Sequence, residues 1–165
     1  MLKITKISGN ILADSELKKR FEIFEKQRKC ERLHLTRQEL EKKRLRKNTD
    51  KGTDIGLSFN DTKLNHGDVL ILEEKFILVE QSPEKVIVIK IKQNSNQEAL
   101  VLLGHIIGNR HRPIAIDNQT IMFPIQAESE LVLFKSLLAD FADNLEMKVE
   151  ERVFVPQKRM DVHEH

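Results

Sequence analysis

The order of secondary structure is clearest in a stretch that begins KVIVIKIK at residues 85–92 and continues QEALVLLGHIIGNRH at residues 97–111. The first segment is rich in β-branched residues that alternate with other side chains, which predicts a strand. The second spaces its apolar residues by three and four, and SNQE at residues 95–98 is a capping box, so we expect a helix to begin there. Gly108 and Asn109 are suited to closing this helix in left-handed conformation.

The residues that follow predict further strands and a second helix. Residues 113–116 and 121–125 bracket the turn Asp117-Asn118-Gln119 and predict a hairpin. Apolar residues at helical spacing over 131–141 predict a second helix, and residues 148–155 predict a last strand. The resulting order, βαββαβ, is that of a ferredoxin-like domain. Because this fold hosts RNA binders, metal carriers and enzymes, it does not by itself define a function.

The first half predicts a small β domain at residues 1–80 with a helical insertion at 14–29. Apolar and polar residues alternate in short segments between turns, whereas the insertion has helical spacing. Gln81-Ser82-Pro83-Glu84 ends this pattern, because proline lacks an amide hydrogen and disfavours a helix before it. The predicted fold class is therefore α+β, with the ferredoxin-like domain at 84–155 and a flexible C-terminal tail at 156–165.

Composition limits the classes of function. Of the 165 residues, 33% are charged and 39% apolar, with eight Phe but no Trp or Tyr, so aromatic stacking platforms are not expected. No apolar run approaches the ~20 residues that cross a bilayer, and the first residues lack a signal-peptide pattern. We therefore expect a cytoplasmic protein with no membrane partner. The single cysteine, Cys30, cannot form an intramolecular disulfide and is interpreted as a spectator thiol.

The histidines are the candidate functional residues, because neutral imidazole binds nickel, copper and zinc. His34 in a predicted strand and His66 in a turn are typical of surface roles. His105 precedes His111 by six residues, a spacing that does not place both on one helix face, so it is assigned to packing or hydrogen bonding. His111 follows the helix end, where unpaired carbonyls and the helix dipole favour a cation. A surface histidine that interacts with those carbonyls is the alternative.

The C-terminal tail is the second candidate. The last five residues, DVHEH at 161–165, hold two imidazoles and two carboxylates, which can close over a cation or be a chance polar end. A divalent transition metal takes about four to six ligands, more than one chain offers. If two subunits pair about a twofold axis near His111, a second imidazole is gained and tails can supply the rest. Such exposed ligands suit a carrier that releases its metal.

Together these residues resemble a known family. The segment GNRH at 108–111 follows an amphipathic helix, and KRLR at 43–46, DIGL at 54–57 and GDVL at 67–70 precede it in order. This arrangement is similar to the UreE family of urease accessory proteins, which are nickel metallochaperones, over nearly the whole chain.

The resemblance implies a homodimer in which His111 meets its symmetry mate to bind nickel as cargo, with His163 and His165 completing the site. It also implies delivery of nickel to the urease apoprotein, acting with a GTPase and further accessory proteins, while the first domain makes protein contacts. No bond-making reaction belongs to the family, so an enzyme is not expected. Zinc or copper can occupy such a site in vitro, because imidazole and carboxylate ligands discriminate weakly. Asp117 and Asn118 occupy the hairpin where some members have histidines.

Two other functions are weighed against this one. A ferredoxin-like RNA-binding module would stack bases on aromatic residues of its central strands, yet residues 85–92 and 121–125 contain only Phe123. We therefore expect no nucleic-acid partner. A small hydrolase would need a nucleophile at motif spacing beside Asn109 and His111, and none is present.

Overall fold

The computed structural model describes residues 2–60, 62–72, 74–92 and 97–157. The chain divides into two compact units, of which the first ends at Ser82 and the second begins at Pro83. Helices and strands occur in both units, so the α+β class expected from the sequence is confirmed. Within the described ranges, no helix has both the length and the apolar character needed to span a membrane.

The first unit contains two sheets and two helices among its described residues. Its elements are β1 (Leu2–Ile4), β2 (Gly9–Asn10), α1 (Ser15–Lys26), β3 (Cys30–Leu35), α2 (Arg37–Leu40), β4 (Arg44–Asn48), β5 (Asp54–Ser58), β6 (Asp68–Leu72) and β7 (Lys75–Gln81). The strands pair in the orders β1-β5-β4 and β2-β6-β7-β3. Both sheets contribute alternate residues to one apolar core, which includes Leu33, Leu35, Ile55 and Leu57.

Helix α1 (Ser15–Lys26) lies within residues 14–29, where the sequence predicts a helical insertion. Its buried residues Leu17 and Phe21 pack in a second apolar cluster with Val69, Phe76 and Leu78 of strands β6 and β7. Because neighbouring residues of these strands enter the first core, the helix covers the other face of the sheet β2-β6-β7-β3.

The turn before β6 depends on a glycine. Gly67 has φ +87°, and a Cβ at this position would lie 2.9 Å from both Asn10 Oδ1 and Leu12 Cγ. Asp68 beside it is 4% exposed; its Oδ1 accepts a hydrogen bond from Asn10 Nδ2 at 2.8 Å, and its Oδ2 accepts one from the Asn65 N–H at 2.7 Å. These two residues of the GDVL segment therefore hold the turn in place.

The second unit is built around one antiparallel sheet of order β11-β8-β10-β9. Its elements are β8 (Glu84–Ile91), α3 (Gln97–Gly108), β9 (Ala115–Asp117), β10 (Thr120–Pro124), α4 (Ser129–Leu137), a 3-10 helix (Ala139–Asn144) and β11 (Leu145–Arg152). Ile87, Ile89 and Phe123 of the sheet pack against α3 and α4 through Leu103 and Phe134.

Several predicted boundaries in this unit differ from the structure. The helix expected over 131–141 ends at Leu137 and gives way to the 3-10 helix, and the last strand lies at Leu145–Arg152 instead of 148–155. The hairpin is present, with Asn118 at φ 39° and Gln119 at φ 59°, as in a type I′ turn. The capping box expected at residues 95–98 begins with two residues that lie outside the described ranges.

Candidate metal centre

His111 lies one tight turn beyond the end of α3. The N–H groups of Asn109, Arg110 and His111 donate to the carbonyls of His105, Ile107 and Gly108 at 3.0, 3.1 and 3.0 Å. The chain then reverses at His111 itself, which has φ 49°. The expectation that Gly108 and Asn109 would be the left-handed residues is therefore wrong, because helical hydrogen bonding continues past both of them.

The same hydrogen bonds correct the argument for a cation at this helix end. Three carbonyls that the sequence led us to expect unpaired already accept backbone N–H groups. The prediction of a metal ligand at this helix end therefore rests on the imidazole of His111 and not on these carbonyl oxygens.

The arginines on either side of His111 anchor it to the rest of the unit. The Arg110 guanidinium carbon lies 5.3 Å from the centre of the Phe134 ring, in a cation–π contact. Arg112 Nη2 donates to Glu130 Oε2 at 2.8 Å, in an ion pair whose two side chains are 21% and 15% exposed. Because both neighbours are tied to α4 while His111 is exposed, its ring is presented to solvent from an anchored backbone.

His105 is exposed on α3 and has a partner close by. Its Nε2 lies 2.9 Å from Asn109 Nδ2. His105 is thus linked to the turn that leads to His111, in keeping with the hydrogen-bonding role expected for it.

The two histidines of the first unit have local partners as well. His34 Nδ1 lies 3.4 Å from Glu80 Oε2 on the neighbouring strand. His66 Nδ1 accepts a hydrogen bond from the Gln81 N–H at 3.1 Å. Neither was expected to bind metal.

Cys30 is buried and its Sγ donates to the Phe21 carbonyl at 3.6 Å. Burial, with a smaller contribution from the charge of Glu25, raises the pKa of this thiol to about 11. Since the thiolate is the nucleophile and the metal ligand, Cys30 remains protonated and unreactive at neutral pH.

Of the three predicted metal ligands, the structure describes His111. His163 and His165 lie outside the described residues. In the described part of the chain, no three His, Cys, Asp or Glu side chains come together as a metal-binding group.

Comparison with known proteins gives the family. Residues 4–81 match the family model described as UreE urease accessory protein, N-terminal domain. A urease accessory protein UreE of Lysinibacillus sphaericus is 35% identical over 121 residues, which cover 72% of this chain and 74% of the relative. This chain belongs to the UreE family. The resemblance drawn from the GNRH, KRLR, DIGL and GDVL segments is thereby confirmed.

Other UreE proteins support the same conclusion. One from Natronomonas pharaonis is 30% identical over 135 residues, covering 80% of this chain and 63% of the relative, so the chain spans less than two thirds of that protein's length. One from Staphylococcus epidermidis is 32% identical over 112 residues, covering 67% of this chain and 68% of the relative. These alignments are longer than the first unit, which ends at residue 82, so the UreE relationship extends into the second unit.

Proposed function

We propose that this chain is a nickel metallochaperone that binds Ni(II) as cargo through His111 at the interface of a homodimer. The observation that carries the proposal is the exposed imidazole of His111, held between two anchored arginines at the end of α3. Membership of a family whose relatives are named urease accessory proteins supports urease as the destination of the metal.

In this proposal the nickel site is completed by more than one chain. A twofold axis near His111 places two identical imidazoles on one ion, and His163 and His165 of the tails supply further nitrogen ligands. Exposed imidazoles exchange readily with water and with other ligands, which suits transfer better than storage. The chain makes and breaks no covalent bond, so it acts as a chaperone and not as an enzyme.

We also assign roles to the two units. The strand order β11-β8-β10-β9 supports a ferredoxin-like fold for the metal-binding unit, in which α3 carries His111 at its end. The first unit is the protein-contact module, and the partners are the urease apoprotein, a GTPase and further accessory proteins. The alternative of an RNA-binding module is not favoured by relatives that are all named as urease accessory proteins.

Equilibrium dialysis with Ni(II) tests the site directly. We expect about one nickel ion per two chains in the wild type, since the symmetric ligands are shared. His111→Ala should weaken nickel binding by more than ~10-fold. Removal of the tail before His163 in the wild type should also weaken nickel binding. The matched control is His34→Ala, which removes an exposed imidazole from the first unit and should leave affinity unchanged. Unchanged affinity in His111→Ala would reject the assignment.

A further inference from the structure

After its last strand ends, the chain of the second unit crosses one face of the sheet. Strand β11 ends at Arg152, on one edge of the sheet β11-β8-β10-β9. Phe154, two residues later, is 2% exposed. It packs on apolar residues of the two central strands, which are Val86, Val88 and Met122. These residues alternate with those that contact α3 and α4, so Phe154 covers the face of the sheet opposite the helices.

The crossing segment ends at the opposite edge of the sheet. The Gln157 N–H donates to the Ile114 carbonyl at 2.9 Å, and Ile114 directly precedes β9. Three strand spacings separate β11 from β9, a distance of about 14 Å. The five residues from Arg152 to Gln157 extend at most about 17 Å, so they cross the sheet in nearly extended form. Pro156 favours this form, because a residue that precedes proline is biased towards extended backbone.

The hydrogen bond to Ile114 brings the end of this segment close to His111. Ile114 follows His111 by three residues, which span at most about 10 Å. Arg152, where β11 ends, lies on the other edge strand of the sheet. The path of residues 153–157 therefore moves the start of the C-terminal tail from that edge to the part of the chain that carries His111.

We propose that residues 153–157 are a strap that fixes where the C-terminal tail leaves the second unit, and that Phe154 is its positioning residue. The buried ring of Phe154 holds the middle of the strap, and the hydrogen bond of Gln157 holds its end. This inference rests on the proposed nickel site and adds the origin of the tail ligands. Each tail starts beside His111 of its own chain.

The strap acts on nickel binding by shortening a tether. His163 follows Gln157 by six residues but follows Arg152 by eleven. Six residues reach at most about 21 Å, which is enough to return to His111 from the end of the strap. The effective concentration of a tethered ligand falls roughly as the −3/2 power of tether length, so the shorter tether raises it about 2–3-fold by length alone.

Hydrogen exchange of the full chain without nickel tests the strap itself. The Gln157 amide should be protected in the wild type, because it donates to Ile114. Phe154→Ala should speed exchange of this amide at least ~10-fold, while the amides that pair β8 with β10 stay protected. The matched control is Val155→Ala, which shortens a neighbouring side chain that is 64% exposed and should leave exchange unchanged. A Gln157 amide that exchanges equally fast in wild type and Phe154→Ala would overturn the inference.

Equilibrium dialysis with Ni(II) tests the consequence for the metal. Phe154→Ala and Gln157→Pro should each weaken nickel binding about 2–5-fold in the full chain. Neither should have an effect in a chain truncated before His163, because the strap then positions no tail ligand. Gln157→Pro removes the N–H donor without opening a cavity in the core, so it keeps the test valid if Phe154→Ala unfolds the sheet. Equal losses in the full and truncated chains would show that the strap only supports the fold, and would reject its positioning role.

The two experiments separate this inference from the proposed function. Unchanged nickel affinity in His111→Ala rejects the metal site, and hydrogen exchange of Gln157 then still decides whether the strap exists. An unprotected Gln157 amide in the wild type rejects the strap, whether or not His111 binds nickel.

Discussion

Glu31 lies in β3 with 2% of its surface exposed, and its carboxylate contacts Thr49 Oγ1 at 2.6 Å and Lys75 Nζ at 2.8 Å. Burial alone would raise the pKa of this carboxyl group. Hydrogen bonds from Lys75, Thr49 and Thr53 outweigh that effect, so the pKa is lowered below its ordinary value of 4.5. Glu31 is therefore ionised in the folded protein at neutral pH, and its charge stabilises the first unit.

We predict that Glu31→Gln lowers the free energy of unfolding at pH 7 by about 1–3 kcal/mol, because a buried charge-assisted hydrogen-bond network is lost. The folded pKa lies below the unfolded one, so this stabilisation is present above the unfolded pKa and disappears as pH falls through the folded pKa. In urea unfolding experiments, the difference between wild type and variant should therefore be full at pH 7 and smaller at an acidic pH below the unfolded pKa of about 4.3.

The control for this prediction is Glu22→Gln, which removes a carboxylate from the exposed face of α1. It should change stability by less than ~0.5 kcal/mol at either pH. A stability difference between wild type and Glu31→Gln that stays constant with pH would contradict the assignment of the charge to Glu31.

At the scale of the elements, helix α1 is held by its first turn and by its buried face. Asp14 Oδ1 accepts hydrogen bonds from the N–H groups of Glu16 and Leu17, each at 2.9 Å. Leu17 and Phe21 then pack on the sheet. The stretch Ser15–Lys26 is thus a packed helix with its own N-terminal cap.

We predict that Asp14→Ala destabilises the protein by about 1 kcal/mol, because two N–H groups of the first helical turn lose their acceptor. Asp14→Asn keeps an acceptor oxygen and should remain within a few tenths of a kcal/mol of the wild type. Urea unfolding followed by circular dichroism measures both. If asparagine proves as destabilising as alanine, the capping role of Asp14 is wrong.

The helices and strands also differ in how clearly the local sequence predicts them. The helices α1 and α3 and the hairpin β9–β10 have local signals in apolar spacing and turn residues, and the sequence predicted them. Strand β4 has alternating charged residues and no apolar run, and it forms because its backbone pairs with β5. Helix α2 was also missed, although Thr36 and Glu39 form a capping box that could have revealed it.

At the scale of the whole molecule, the proposed site couples dimerisation to nickel. A ligand that binds only the dimer stabilises it by RT ln(1 + L/Kd), where L is the free ligand concentration and Kd its dissociation constant. We predict that size-exclusion chromatography with light scattering gives twice the mass of one chain when Ni(II) is present, at concentrations where part of the nickel-free protein is monomeric.

Two variants separate the contributions of His111 and of the C-terminal tail to the monomer–dimer equilibrium. His111→Ala should abolish the effect of nickel on the dimer, whereas truncation before His163 should reduce it while leaving the effect measurable. A nickel-loaded wild-type protein with the mass of a single chain would contradict a site shared between two subunits.

The amino-acid sequence alone determined the family, the α+β class, the order of elements in the second unit and the imidazole at position 111. These follow from short segments, since spacing, turn residues and motifs are local properties. Three-dimensional packing decided the rest: that His111 is the left-handed residue, that Arg112 is tied to Glu130 on α4, and that Lys3 lies beside Gly56. The last two depend on residues far apart in the chain that meet only when the sheets and cores form, and the first depends on how many hydrogen bonds continue past the helix end, which the local pattern does not specify.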